Sequence, residues 1–267
     1  MSGYAKRLRE LIALMRMIVS RYGRGSAFML WCRLLMTVAQ PRLPRMWRRA
    51  QPLDLVFAGE PFQMLMLDRT SLAAFEEVFI RREYSVPALS APHRIVDVGA
   101  NIGAASVYFL LRYPGARLYA IEPDPDVCEI LRRNLAAFPE ASVHQCALSD
   151  TDGTVDFHIH PSSSIASSII SRVSGERVMP VSSKTLDTFI HEENIASIDL
   201  LKFDIEGAED RLLRGISDVR AVACYVGEIH PDLLGTSLED IVSLFGGFAV
   251  TVEPVGTKRF LLTAVRK

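Results

Sequence analysis

The stretch Arg94-Ile-Val-Asp-Val-Gly-Ala-Asn-Ile-Gly103 decides the fold class. Residues 94–98 are a short apolar run around Asp97 and read as a buried strand. Gly99 and Gly103 break that run, and 102–113 then has the pattern of a helix. Strand, glycine turn and helix together form a turn suited to a nucleotide-like ligand. Glycine lets the backbone approach a ligand where a Cβ would clash, and the helix start offers free N–H groups.

Outward from this turn the alternation continues. Residues 117–121 read as a strand, 125–137 as a helix and 142–148 as a third strand. Asp150 to Gly153 is a turn into an alternating strand, 154–160. A serine-rich loop or lid follows over 161–174, with Ile165, Ile169 and Ile170 in need of packing partners. Then come a helix at 185–193, a buried strand at 198–203, a helix at 206–213, a strand at 221–229 and a helix at 237–245. Residues 248–255 and 259–265 close the chain as a hairpin. Strand alternating with helix means parallel βαβ units, hence an α/β, Rossmann-like doubly wound sheet ending in an antiparallel hairpin. Before this core, 53–67 reads as one or two strands and 70–84 as a helix. The expected organisation is a helical extension over 1–50, a lead-in over 51–92 and the ligand-binding domain over 93–267.

The ligand of the turn follows from its side chains. A dinucleotide turn reads Gly-x-Gly-x-x-Gly. This one reads Gly99-x-Asn101-x-Gly103, with Ala104 after it. Asp97 stands before the first glycine, placed to meet a cationic group. Glu122 ends the next strand, nineteen residues beyond Gly103, where an acid accepts two hydrogen bonds from ribose hydroxyls. S-adenosylmethionine carries an ammonium and a sulfonium and no phosphate, so it suits an acidic turn.

A second motif, Leu201-Lys-Phe-Asp-Ile-Glu-Gly-Ala-Glu209, and a third, Glu228-Ile-His230, make the comparison specific. With Val96 to Gly103, Glu122-Pro123, Asn134, Ala147-Leu-Ser-Asp150, Gly153 and Thr185-Leu-Asp187, the chain resembles the FkbM family of S-adenosylmethionine-dependent methyltransferases over about residues 80–265. The resemblance implies methyl transfer to a hydroxyl oxygen of a sugar, glycan or natural product. It places the methionine end of the cofactor at Asp97, Gly99, Asn101 and Gly103, the ribose at Glu122, and the adenine along Cys146-Ala147-Leu148.

The second and third motifs also carry chemistry of their own. Asp204 ends a buried strand, at the edge where open α/β sheets bind ligands. Glu206 and Glu209 read as the start of a helix, where the dipole favours acids. Glu228 and His230 end the next strand. If the strands are neighbours, Asp204, Glu206, Glu228 and His230 converge on the reacting methyl group. An alcohol reacts poorly until its proton leaves, and a positioned base supplies about 10²–10⁴-fold. His230 is the best neutral-pH base of the set, with Asp204 or Glu206 orienting the hydroxyl. The competing account is a divalent metal on Asp204, Glu228 and His230 that lowers the hydroxyl pKa.

Composition narrows the setting. The chain has 267 residues with a formal charge of −1, yet residues 1–50 carry eleven Lys/Arg against Glu10 alone. The first fifty residues are thus about +10 and the remainder about −11. The basic arm reads as amphipathic helices over 4–22 and 26–39 and a linker over 42–49. It suits a cap on the domain, a contact in a homo-oligomer, or a peripheral site on an anionic membrane. Nucleic acid fits poorly, because the domain is acidic and no stacking motif interleaves with the basic residues. Cys32, Cys128, Cys146 and Cys224 show no pairing pattern, and no signal or spanning segment is apparent, so a cytoplasmic location is expected. His158 and His160 alternate on one strand and read as a half-exposed face, not a metal site. An NAD-dependent oxidoreductase and an inactive cofactor-binding module are the rival functions; the spacing of the turn speaks against the first and the intact acids against the second.

Overall fold

The computed structural model describes residues 50–160, 163, 166–171, 173–255 and 258–267. The helices and linker read in the basic arm, and part of the serine-rich loop read over 161–174, lie outside the described residues. The chain divides into two compact units. One reaches to Glu83 and includes 162–165, and the other holds the rest from Tyr84 to Lys267.

In the first unit, β1 (Gln51–Phe57) and β2 (Glu60–Met66) form an antiparallel hairpin. Ala58 and Gly59, at φ 51° and 93°, close it as a two-residue turn. α1 (Arg69–Phe75) starts at Asp68, whose carboxylate accepts from Thr70 N and Ser71 N. The single helix expected over 70–84 is corrected. α-Helical bonding gives way to a π turn at Glu76–Ile80, and Arg82 at φ 56° prevents continuation. Phe79 stacks on Phe62 and Phe75 here.

The second unit is built on seven strands: β3 (Arg94–Val98), β4 (Arg117–Ile121), β5 (Ala141–His144), β9 (Leu200–Phe203), β10 (Cys224–Ile229), β11 (Phe248–Val255) and β12 (Arg259–Arg266). Their order is β11-β12-β10-β9-β3-β4-β5, and β12 runs against both its neighbours while the others are parallel. The expected α/β architecture with a terminal antiparallel hairpin is present. The connecting helices are α2 (Ala104–Arg112), α3 (Pro125–Leu135), α4 (Leu186–Glu192), α5 (Glu209–Arg214) and α6 (Leu238–Ser243). Val98, Ile121, Leu201, Phe203, Tyr225 and Leu262 belong to one buried core cluster. Building outward from β3 to β5 and then returning to β9 reverses the strand order at β3/β9. That is where such sheets open a ligand crevice.

Three boundaries differ from expectation for local reasons. The strand read over 142–148 is two strands: the chain leaves the main sheet after His144, and β6 (Ala147–Leu148) joins β7 (Gly153–Ile159) and β8 (Arg177–Lys184) in a separate sheet ordered β6-β8-β7. β8 was not expected, since Pro180 interrupts its alternation. Pro180 is tolerated because β8 has only β7 beside it at that point. The helix read from 206 begins at Glu209, because Glu206 and Gly207 are left-handed, at φ 56° and 101°. Among the described residues, no helix is long and apolar enough to cross a membrane.

Candidate active site

The turn after β3 lies directly on the end of β9. A Cβ on Gly99 would sit 2.0 Å from the Asp204 carbonyl oxygen, and Gly99 has φ 71°. A Cβ on Gly103, at φ 91°, would meet Leu131 Cδ1 at 2.8 Å. Gly99 is therefore required by the chain's own packing and Gly103 by its left-handed backbone, reasons beyond the ligand approach read from the sequence. Asn101 takes φ 52°, and its Oδ1 accepts from Ile102 N at 2.7 Å. Asparagine tolerates the left-handed region through such local bonds. Asn134 donates from Nδ2 to Ile102 O at 2.7 Å and ties α3 to the turn.

Asp97 is fully buried beneath this turn. Its Oδ2 accepts from Ser106 Oγ at 2.6 Å, and its Oδ1 lies 3.0 Å from Lys202 Nζ. The cation it meets in this structure belongs to the chain itself. Lys202 faces Asp97 across the β3–β9 register and donates to Gly99 O at 2.9 Å, with Tyr84's ring centroid 5.3 Å away. Burial alone would depress its pKa, but Asp97, Asp204 and Glu228 outweigh burial and hold it above the ordinary lysine value. Glu122 is buried at the tip of β4. Its Oε2 accepts from Asn101 N and its Oε1 from Asp124 N, both at 2.9 Å. Burial, and then the Asp124 carboxylate, push its pKa up to about 8. Ala147 is buried in β6.

The ends of β9 and β10 bring Asp204, Glu228 and His230 together, with ligand-capable atoms within 4.8 Å of one another. His230 is 3% exposed. Its Nδ1 is 2.9 Å from Glu209 Oε1, and its Nε2 is 3.6 Å from Glu206 Oε2 and 3.7 Å from Glu228 Oε2. Among the described residues Nε2 has no hydrogen-bond partner, and neither has Asp204 Oδ1. Burial pulls the imidazole pKa down, but the Glu209 hydrogen bond and the charges of Glu209, Asp204 and Glu206 prevail and raise it to about 9. As the site stands, His230 is an imidazolium at neutral pH, which differs from the neutral base read from the sequence.

Three participants escaped the sequence. Tyr84 donates its hydroxyl to Asp204 Oδ2 at 3.1 Å and lies 3.4 Å from Glu228 Oε1. Arg259 Nη1 donates to Glu228 Oε2 at 2.7 Å, and Ser106 holds Asp97. None of the three had a signal in the sequence: the pairing that sets Phe260 beside Ile229, and so brings Arg259 to Glu228, appears only in the folded sheet. The His158 Nδ1 faces Glu176 at 3.3 Å.

A profile of the Methyltransferase FkbM domain matches residues 97–247. The chain belongs to the FkbM methyltransferase family. Methyltransferase sdnD of Sordaria araneosa is 30% identical over 176 residues, which cover 54% of this chain and 68% of that protein. The 31-O-demethyl-FK506 methyltransferase FkbM of Streptomyces tacrolimicus is 30% identical over 191 residues, covering 59% and 72%. The 2-O-methyltransferase NoeI of Sinorhizobium fredii is 30% identical over 138 residues, covering 45% and 56%. This methyltransferase depends on S-adenosylmethionine, and the oxidoreductase reading is set aside. In the Thr185-Leu-Asp187 motif the bonds are structural: Thr185 N and Thr188 Oγ1 donate to Asp152, and Asp187 receives Ser217 N.

Proposed function

We propose that this methyltransferase methylates a hydroxyl oxygen of a sugar or natural-product acceptor, with His230 as the base. The observation that carries the reading is the buried His230 Nε2, without a hydrogen-bond partner among the described residues, beside Asp204, Glu206 and Glu228 at the ends of β9 and β10, next to the switch point of the sheet. The names of two relatives, a 31-O-demethyl-FK506 methyltransferase and a 2-O-methyltransferase, support oxygen as the accepting atom.

The site fits a cationic nucleoside. Asp97, Asp204, Glu206, Glu209 and Glu228 outnumber Lys202, Arg259 and His230, so the cluster carries excess negative charge. The turn at Gly99, Asn101 and Gly103, backed by Asp97, would hold the methionine end. Glu122 would hold the ribose hydroxyls, and Ala147 would line the adenine. When bound, S-adenosylmethionine supplies an electrophilic methyl on a sulfonium whose positive charge, beside these carboxylates, weakens the hold of His230 on its proton. Asp204, Glu206 and Glu228 orient the acceptor hydroxyl. His230 Nε2 would take its proton as the oxygen bonds to the methyl carbon and the carbon–sulfur bond breaks, the sulfur leaving as a neutral thioether.

A metal on Asp204, Glu228 and His230 is the other account. The guanidinium of Arg259, 2.7 Å from Glu228 Oε2, sets a fixed positive charge against it, and we assign no metal there. The test is His230→Gln, assayed by transfer of labelled methyl to a panel of sugar and macrolide hydroxyls. Turnover should fall about 10²–10⁴-fold with cofactor affinity within threefold of wild type. Full turnover would overturn the assignment.

A further inference from the structure

Glu209 has a more specific place than the other acids near His230. It is the first residue of α5 and is fully buried. Its Oε1 is fixed from two sides, by Gly207 N at 2.9 Å and by His230 Nδ1 at 2.9 Å. The Gly207 turn is itself pressed on the segment after His230: a Cβ on Gly207 would lie 2.6 Å from Leu233 Cβ. Leu233 N and Leu234 N both donate to the His230 carbonyl, at 2.9 and 3.2 Å. Glu209 and His230 are therefore held by a single packed unit. Glu209 Oε2 has no hydrogen-bond partner among the described residues.

We propose that Glu209 is the positioning residue of the base: it keeps a proton on His230 Nδ1, so that Nε2, once its own proton has left, directs its lone pair into the acidic cluster, and it stabilises the imidazolium formed when Nε2 takes the acceptor's proton. The proposal rests on His230 being the base. A carboxylate on Nδ1 selects the tautomer and the ring orientation, as in hydrolase triads. Other charged groups surround the ring without replacing Glu209. Asp204 and Glu206 come from the end of β9 and its following turn, Glu228 and Asp232 from β10 and beyond, Arg259 from β12 against Glu228, and Lys202 from within β9. Glu206 and Glu228 stand 3.6 and 3.7 Å from Nε2, beyond hydrogen-bonding distance.

Glu209→Gln keeps an oxygen for Gly207 N and His230 Nδ1 and removes the charge. The histidine resonances of the unliganded protein are titrated by NMR, with His230→Gln assigning the signal among six histidines. The His230 midpoint should fall by at least about one pH unit in Glu209→Gln, and turnover near pH 7 by about 10–100-fold, with S-adenosylmethionine affinity unchanged. Glu209→Asp, which keeps the charge and shortens the reach, should leave the midpoint high while turnover still falls; it decides the matter if the glutamine variant does not fold. An unmoved midpoint in Glu209→Gln, or wild-type turnover in either variant, would overturn the positioning role. If those results came with an inactive His230→Gln, the base would stand without Glu209. Full turnover in His230→Gln would remove both.

Discussion

Replacing Glu122 by glutamine should reverse its effect on stability between acid and mildly alkaline pH. In the folded protein the carboxyl has a pKa of about 8, against an ordinary 4.5. The sign follows from linkage. A carboxyl whose pKa is raised by folding contributes stability that is complete below the unfolded value and is lost as pH rises toward the folded one. Each pH unit within that window costs about 1.4 kcal/mol, so at pH 7.5 the wild type has forfeited roughly 4 kcal/mol relative to a side chain that never ionises. Glutamine is such a side chain, but it carries its own penalty. Glu122 receives two backbone N–H groups, from Asn101 and Asp124. The amide oxygen can accept one, and the amide nitrogen opposes the other, costing about 1–3 kcal/mol. Glu122→Gln should therefore be less stable than wild type at pH 5 and more stable by about 1–3 kcal/mol at pH 7.5. Urea denaturation of both proteins from pH 5 to 8 measures this directly. The same variant should bind S-adenosylmethionine about 10–100-fold more weakly, since one of the two oxygens that would accept from the ribose hydroxyls is replaced by an amide nitrogen. A stability difference that stays constant across the pH range would refute the argument, because it would mean that Glu122 titrates like an exposed acid.

Three further outcomes are expected. Lys202→Met should destabilise the protein by about 3–5 kcal/mol in urea, because it leaves Asp97 buried without its counter-charge; Asp97→Asn added to it should recover most of the loss. Tyr84→Phe should leave the melting temperature and cofactor affinity near wild type but lower turnover by roughly 3–10-fold, through loss of one hydrogen bond to Asp204, and an unchanged rate would show that this bond has no part in orienting the acceptor. Turnover should persist within about twofold after chelator treatment; abolition by chelator with recovery on adding Mg²⁺ would put a metal in place of the base.

The sheet was legible because its strands are apolar runs closed by glycine or an acid, a pattern set by burial on both faces. Residues 94–98 and 117–121 were read without error, and both are central strands. β8 escaped because an exposed strand with a proline lacks that hydrophobic signature. The helix boundary at Glu206 was missed since a left-handed glutamate is fixed by tertiary contacts, and helix propensity says nothing of them. In the site, the clustering of Asp204, Glu206, Glu228 and His230 followed from strand adjacency alone. What did not follow was the direction of each side chain. Asp97 reads as a ligand-facing acid and turns out to face Lys202; His230 reads as neutral until its surrounding carboxylates are counted. Tyr84 lies before the first core strand, outside every motif, and only the folded chain brings it to Asp204.

The contact between Lys202 and Asp97 also works as a proofreader of assembly. β9 enters the sheet next to β3, and their register pairs these two residues. A slip of β9 by one residue would send Lys202 to the opposite face, together with the alternation that sets Asp204. Asp97 would then be enclosed without a cation, at a cost of about 3–5 kcal/mol, a large share of the roughly 5–15 kcal/mol that holds an ordinary domain together. A sheet assembled in the wrong register is therefore disfavoured by the same ion pair that, in the right one, brings the Gly99–Gly103 turn and the acidic cluster into alignment. One contact thus sets both the order of the strands and the alignment of that turn with the acidic cluster.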